Sequence, residues 1–172
     1  MKAAIKKSDL KLLFEFVKNC KRSDREIAKI VGVSQPTITR KRTRLVETGL
    51  IRQFTAIPSL DKIGYEIAAL TFTNMKAPAS ENPKSLMDKE RDWAEKHDEI
   101  IFASTGFGMG MNGVIVSVHK NYTDYQKFLT ELRSHWTEHN VNIRSFILSL
   151  RNREAVTKDF SFASLEKTVK AS

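Results

Sequence analysis

One short stretch places hydrogen-bonding side chains on one side of a helix, between residues 34 and 51. At 100° per residue, Ile38 and Leu45 fall on one side, which is suited to packing. The opposite side and its N-terminal edge carry amide, hydroxyl and guanidinium groups: Gln35, Thr37, Thr39, Arg40, Thr43 and Arg44. Such groups hydrogen-bond to base edges and phosphates, although an isolated basic helix is more often a solvated surface. The neighbouring elements must decide between these interpretations.

The ends of this helix and the residues before it predict a helix-turn-helix. Ser34 is a favoured N-cap residue, Pro36 suits the first turn, and Gly49 suits the left-handed position after the last turn. Residues 23–26, Ser-Asp-Arg-Glu, form a capping box that begins a shorter helix ending at Gly32. Two helices joined by a turn containing glycine allow the second helix to enter the major groove of DNA.

The distribution of charge favours the same function. Residues 1–62 contain 15 Lys/Arg against 6 Asp/Glu, which gives +9. Residues 63–172 contain 14 of each, so the whole net charge of +9 belongs to the first part of the chain. This excess is expected where phosphates supply much of the affinity.

The rest of the N-terminal part predicts a first helix and a closing wing. Ser8 is a candidate N-cap, and the helix after it carries an apolar stripe formed by Leu10, Leu13, Phe14 and Val17. Residues 50–57 are rich in β-forming types and predict a strand or wing. We therefore expect a winged helix-turn-helix domain at residues 1–57 and a linker at 58–65.

The second part of the chain, residues 66–152, predicts a ferredoxin-like βαββαβ domain. Strands are expected at 66–75, 100–105, 114–119 and 141–150, and helices at 83–97 and from Tyr125 to Trp136. Both faces of the strands are mostly apolar, with helices covering only one. The other face predicts a homodimer, which would place two recognition helices on one duplex.

Other chemistries find little support. Cys20, the only cysteine, allows no intramolecular disulfide or Cys-rich zinc site, and we interpret it as a packing residue. His135 and His139 have a chelating spacing but lack further ligands, so we interpret them as surface residues with no metal. The alternating glycines of residues 105–113 lack a P-loop or Rossmann context and predict a long flexible hairpin turn. We expect no cofactor, no membrane segment and a cytoplasmic location.

Three segments resemble the Lrp/AsnC (feast/famine) transcription regulators of prokaryotes. They are residues 25–34 (REIAKIVGVS), 37–41 (TITRK) and 44–51 (RLVETGLI), with Gly64 resembling the glycine that opens the effector domain. The resemblance covers about residues 9–150. It implies dimerisation through the C-terminal sheet, further assembly to tetramers or octamers, and an amino-acid-like effector bound between subunits.

Two departures from that family stand out. Arg42 occupies a position that is usually apolar, on the side of the helix that carries Ile38 and Leu45, and we expect its guanidinium to reach phosphate or an acidic partner. The turn beside the effector site lacks the usual acid. The candidate effector residues there are Thr105, Gly106, Phe107 and Asn112.

The combined prediction is a sequence-specific DNA-binding transcription regulator and not an enzyme. The candidate base-reading residues are Gln35, Thr37, Thr39 and Arg40. The candidate phosphate contacts are Arg22, Arg25, Ser34, Thr43, Arg44 and Arg52. Two alternatives remain open: an architectural DNA-binding protein with little sequence preference, and an enzyme resembling the sirohaem decarboxylases that uses His97, His119, His135 and His139. Residues 153–172 form an extension that docks either locally or on a partner.

Overall fold

The computed structural model describes residues 5–76, 82–139 and 141–170. These residues form two compact units. The first contains the described residues up to Ile57 together with those from Lys158 onward, and the second runs from Pro58 to Thr157.

Three helices make the first unit: α1 (Lys7–Lys18), α2 (Asp24–Val31) and α3 (Gln35–Glu47). Their facing sides enclose a core that contains Leu12, Phe16, Ile27, Ala28, Ile38, Leu45 and Ile51. The apolar stripe predicted for α1 therefore omitted two of its most deeply buried residues, Leu12 and Phe16. The predicted helix-turn-helix of α2 and α3 is confirmed.

The helix ends follow the local sequence with one exception. Ser23 Oγ accepts from the Glu26 backbone N–H, and a Glu26 carboxylate oxygen accepts from the Ser23 backbone N–H at 2.7 Å, which confirms the capping box. Gly32 and Gly49 adopt φ of 78° and 71°, conformations that favour glycine. The predicted cap at Ser8 is wrong, because α1 begins at Lys7, with Lys6 in the N-cap position, and the Ser8 hydroxyl lies 2.9 Å from Lys41 Nζ.

Residues 50–57 do not form the predicted strand. A strand needs a hydrogen-bonded neighbour, and the described residues of this unit supply none. The segment is instead held by side chains: Ile51 is buried in the core, and the Phe54 ring packs edge-on against Phe16 with centroids 5.7 Å apart.

The C-terminal residues of the first unit lie beside α1. They include the short helix α6 (Leu165–Lys170), whose Glu166 forms an ion pair of 2.8 Å with Lys18. Cys20, at the end of α1, is exposed, so its interpretation as a packing residue is wrong.

The second unit contains strands β1 (Ile67–Asn74), β2 (Ile100–Gly108), β3 (Met111–His119) and β4 (Asn142–Ser149). Two helices connect them, α4 (Pro83–Glu95) and α5 (Tyr122–His135). The strands pair antiparallel in the order β2-β3-β1-β4, which confirms the ferredoxin-like βαββαβ fold.

The helices cover one face of this sheet. Ala69 and Ile115 project from the strands into a core formed with the helical residues Trp93, Tyr125, Phe128, Leu129, Leu132 and Trp136. The apolar stripe predicted for α5 is therefore confirmed. Thr71, Thr73 and Ser117 are also buried, and the Thr71 and Ser145 hydroxyls lie 3.1 Å apart.

The opposite face of the sheet is apolar and exposed in the single chain. Leu70 of β1 lies between Val116 of β3 and Phe146 of β4, and Val116 is in turn paired with Phe102 of β2. Phe146 is 63% exposed and Phe102 is 55% exposed. This is the face that the strand pattern predicted to need cover.

The hairpin between β2 and β3 is tighter than the sequence predicts. The strands continue to Gly108 and resume at Met111, so only Met109 and Gly110 form the turn, both with positive φ. The predicted long flexible turn is wrong, because glycines do not prevent backbone pairing between strands. Gly113 has a packing role instead: a Cβ there would lie 2.5 Å from Thr73 Oγ1.

Candidate nucleic-acid interface

The recognition helix α3 is fixed by its buried side and presents its polar side to solvent. Ile38 and Leu45 are buried in the core of the first unit. Gln35, Thr39 and Arg40 are exposed, and together with Pro36 they line a shallow surface depression of about 520 Å³. Three of the four candidate base-reading residues therefore share one surface.

Thr37, the fourth candidate, is half-buried and outside the lining of that depression. Its hydroxyl lies 2.8 Å from the Ser34 hydroxyl at the beginning of α3. Ser34 occupies the N-cap position without a capping hydrogen bond from its side chain. One of these two hydroxyls therefore donates to the other at the helix terminus.

Thr39 makes two short-range contacts with acceptors. Its hydroxyl lies 2.7 Å from an Asp24 carboxylate oxygen and 3.2 Å from the Gln35 carbonyl oxygen one turn earlier. The first contact joins the recognition helix to α2, and because both partners are acceptors, the lone pairs of the exposed Thr39 hydroxyl stay unused.

The other oxygen of Asp24 forms an ion pair with Arg42. The distance to Arg42 Nη2 is 2.6 Å, and the same nitrogen donates to the Arg22 carbonyl at 3.3 Å. The Arg42 guanidinium also lies 4.6 Å from the centroid of the Phe16 ring. Of the two expected partners of Arg42, phosphate or an acidic residue, the structure shows the acidic residue. Arg42 therefore links α3 to α2 through Asp24 and to the core through Phe16.

A second carboxylate holds α3 from the side of α1. Asp9 is buried, with Lys41 Nζ at 2.6 Å and Arg44 Nη2 at 3.8 Å. The hydrogen bond from Lys41 is the largest cause that lowers the pKa of Asp9 below its usual value. The sequence analysis did not predict that Asp9 and Asp24 hold α3 by ion pairs. The only sign of this role in the sequence is that acidic residues are few in this strongly basic segment.

The candidate phosphate contacts divide into exposed and engaged groups. Arg25 and Arg52 are exposed, and the Arg44 side chain is 54% exposed. Arg22 forms an ion pair of 2.7 Å with Glu15. The Thr43 hydroxyl donates to the Thr39 carbonyl at 3.2 Å. Of the candidate phosphate contacts, Arg25, Arg44 and Arg52 therefore present their charges at the surface.

The second unit contains a cavity of about 640 Å³ between α4 and β2. Its lining is mostly apolar and includes Trp93 and Ile100, with Glu90 and His97 among its polar groups. Burial raises the pKa of Glu90 above its usual value, while the nearby charge of His139 lowers it. Such a carboxyl group would be stabilised by a cationic partner.

The candidate effector residues do not come together at this cavity. Thr105 lines it, but Gly106, Phe107 and Asn112 are absent from its lining. Phe107 is fully exposed. The Asn112 amide accepts from the Met75 N–H at 3.0 Å and donates to the Met75 carbonyl at 2.7 Å, a structural role that joins β3 to the end of β1.

The four histidines differ in burial: His119 and His139 are buried, His97 is half-buried, and His135 is exposed as the sequence predicted. His119 is buried with Nε2 2.8 Å from the Ser117 hydroxyl, and burial lowers its pKa. His97 and His135 both stack near Trp93. His139 is buried in a 3-10 turn beyond α5, so its interpretation as a surface residue is wrong. Among the described residues, no group of three or more His, Cys, Asp or Glu is placed to hold a metal ion.

Sequence comparisons agree with the geometry of the first unit. Residues 5–52 match the winged helix-turn-helix DNA-binding family. An uncharacterized HTH-type transcriptional regulator of Pyrococcus furiosus is 31% identical over 102 residues, 59% of this chain and 64% of that protein. The leucine-responsive regulatory protein of Rhizobium meliloti is 28% identical over 85 residues, 49% of this chain. The chain thus spans 64% and 54% of the lengths of these two relatives.

Comparison of folds extends the similarity over both units. An AsnC family transcriptional regulator from Agrobacterium tumefaciens superposes with a TM-score of 0.74 at 13% identity, covering 92% of this chain and 95% of the other. The chain therefore has the fold of this AsnC family regulator over both units. A transcriptional regulator of Neisseria meningitidis solved as a complex with L-Met is similar in fold as well, with a TM-score of 0.74, 16% identity and coverage of 93% and 96%.

Both of the sequence relatives named above carry names of transcription regulators. Within the part of the chain that the structure describes, we find no helix long and apolar enough to cross a membrane.

Proposed function

We propose that the protein is a sequence-specific DNA-binding transcription regulator. The observation that carries this proposal is the exposed surface of α3, where Gln35, Thr39 and Arg40 share one depression on the unit that holds the whole net positive charge. DNA binding belongs to residues 1–57 and dimerisation to residues 66–152, joined by the linker at 58–65. Residues 153–172 are a local extension.

The exposed side chains suit distinct parts of a major groove. The Arg40 guanidinium has the fork geometry that binds guanine O6 and N7, and the Gln35 amide matches adenine N6 and N7. Arg25, Arg44 and Arg52 contact phosphates and fix the docking. The remaining candidates contribute less to DNA binding, because their polar groups already have partners within the unit: Arg22, Ser34, Thr37 and Thr43.

The functional form is a homodimer that pairs the open faces of two sheets. Phe102, Phe146, Leu70 and Val116 form a contiguous apolar surface across all four strands. Large exposed patches of this kind are costly in a monomer, and a two-fold axis lets one patch cover its copy. The resulting pair of recognition helices fits a pseudo-palindromic site.

The cavity between α4 and β2 is the candidate site of an amino-acid-like effector. Glu90 offers a carboxylate for an ammonium group, and Trp93 and Ile100 offer an apolar wall for a side chain. A cavity of this volume lies within the range of small-molecule sites. The relative of N. meningitidis was solved with L-Met, an amphipathic amino acid of this class.

The test of DNA binding is equilibrium binding to the DNA upstream of the protein's own coding sequence and to a scrambled duplex, each across a salt series. Specific regulation predicts a preference for the upstream DNA that persists as salt rises. Arg40→Ala should lose that preference, whereas Arg91→Ala, an exposed arginine of the second unit, should keep it. Equal affinities for the two duplexes, with the same salt slope, would identify an architectural DNA-binding protein. Absence of binding to either duplex would favour the alternative of an enzyme.

The effector is tested by the thermal shift of the full chain with each of the common L-amino acids. A ligand that stabilises the wild-type protein should lose most of its effect in Glu90→Gln and retain it in Asp88→Asn, a matched change at an exposed acid of the same helix. Equal responses of the two variants would refute the role of Glu90.

A further inference from the structure

The hydrogen-bonding state of Thr39 is determined by its neighbours. A threonine hydroxyl has one hydrogen to donate and two lone pairs that accept. Both protein partners of Thr39, the Asp24 carboxylate at 2.7 Å and the Gln35 carbonyl at 3.2 Å, are acceptors without a hydrogen. The hydrogen of Thr39 is therefore used inside the unit while Asp24 is present, because the Gln35 carbonyl at 3.2 Å is only a weak second acceptor.

The carboxylate is the stronger of these two acceptors. Its bond is 0.5 Å shorter (3.2 against 2.7 Å), and bonds to ionised acceptors are roughly twice as strong as neutral ones. Arg42, 2.6 Å from the other oxygen of Asp24, holds the carboxylate between α2 and α3. Asp24 is thereby fixed in a position that takes the Thr39 hydrogen.

We propose that Asp24 is a positioning residue that makes Thr39 an obligate acceptor, so that Thr39 recognises the exocyclic amino group of adenine or cytosine. The inference rests on the proposed DNA-binding function. A threonine hydroxyl that has no partner in the protein can pair with a donor or an acceptor on a base edge. A hydroxyl whose hydrogen is already used cannot donate to guanine O6 or thymine O4. Thr39 lies in the same exposed depression as Gln35 and Arg40, where a base edge would approach.

The experiment first locates the base pair that Thr39 contacts. Full-length wild-type protein and Thr39→Val, which keeps the shape but lacks the hydroxyl, select sites from a randomised duplex library. The pair whose preference changes is then rebuilt with analogues that lack either the exocyclic amino group or the carbonyl oxygen. Removing the amino group should weaken wild-type binding by about three- to tenfold, the range of one hydrogen bond, and leave Thr39→Val unaffected.

The role of Asp24 is tested with Asp24→Asn. Since Arg42 has only donors, the oxygen of the introduced amide should face Arg42 and its NH₂ group should face Thr39. The amide would then donate to one lone pair of Thr39, and the Thr39 hydrogen, left with only the weaker Gln35 acceptor, would be able to turn toward a base acceptor. The penalty for removing the base amino group should therefore shrink. Asp9→Asn is the matched control, because it weakens the other carboxylate contact of α3 without contacting Thr39. It should keep the wild-type penalty.

The outcomes separate this inference from the proposed function. Binding that shows no base preference in the wild-type protein would refute both. Two results in a selective wild-type protein would overturn the acceptor role alone. One is that binding weakens when the carbonyl oxygen, rather than the amino group, is removed; the other is that Thr39→Val keeps the wild-type base preferences. A full penalty that persists in Asp24→Asn would overturn the positioning role of Asp24.

Discussion

Replacing Phe146 by alanine should dissociate the dimer at concentrations where the wild-type protein is paired. A phenylalanine side chain has roughly 200 Å² to bury, of which the observed 63% exposure leaves about 125 Å² for a partner. At about 25 cal/mol per Å², full cover contributes about 3 kcal/mol, and alanine would retain about a third of it. Because a two-fold interface contains both copies, the loss is about 4 kcal/mol, or nearly a thousandfold in Kd.

The assay is sedimentation equilibrium of the full chain over a dilution series. Phe160→Ala is the matched control, because Phe160 is 69% exposed but belongs to the first unit rather than to the sheet. The wild-type and Phe160→Ala proteins should share one dimer Kd. The reasoning would be refuted if Phe146→Ala kept the wild-type Kd, or if both alanine variants weakened the dimer equally.

Three further predictions concern the stability of the first unit, measured by hydrogen exchange in α1–α3, with tryptophan fluorescence reporting the second unit. Ile38→Ala removes a fully buried side chain and should cost about 2–5 kcal/mol, whereas exposed Val46→Ala should change little; similar effects would contradict the assigned core. Asp9, whose folded pKa is lowered, stabilises the unit above pH about 4 and loses this effect as pH falls through the folded pKa, so Asp9→Asn should flatten the acid side of the stability curve. If Asp9→Asn left the acid side of the stability curve unchanged, Asp9 would not be a source of the acid sensitivity. Arg42→Met should destabilise by about 1–3 kcal/mol, since Asp24 loses its partner, and exposed Arg25→Met should be near neutral; the reverse order would contradict this link between α3 and α2.

Short-range signals were sufficient for most elements. The capping box at Ser23, the positive φ of Gly49 and the apolar stripe of α5 depend on residues within a few positions of one another, so the sequence displays them directly. The four strands and their order also follow from apolar patterning and the preference of the βαββαβ pattern for one topology.

Errors arose where an outcome depends on a partner distant in the chain. Residues 50–57 have strand composition but no neighbouring strand in the described part of their unit, and residues 105–113 have loop composition but pair across a tight hairpin. Composition describes what a segment tolerates, whereas pairing depends on what lies beside it. For the same reason, His139 is buried although we expected it at the surface, and Cys20 is exposed although we expected it to be packed.

The sequence by itself determined the fold class, the basic N-terminal part with its helix-turn-helix, and the side of α3 that faces outward, because periodicity and charge are local properties. Only the tertiary structure decided which of those outward groups are available. Asp24 lies 15 positions before Thr39, and Asp9 lies 32 positions before Lys41. Packing brings these acids against α3, where they take up the Thr39 hydrogen and the charges of Lys41 and Arg42, and leave Gln35 and Arg40 exposed.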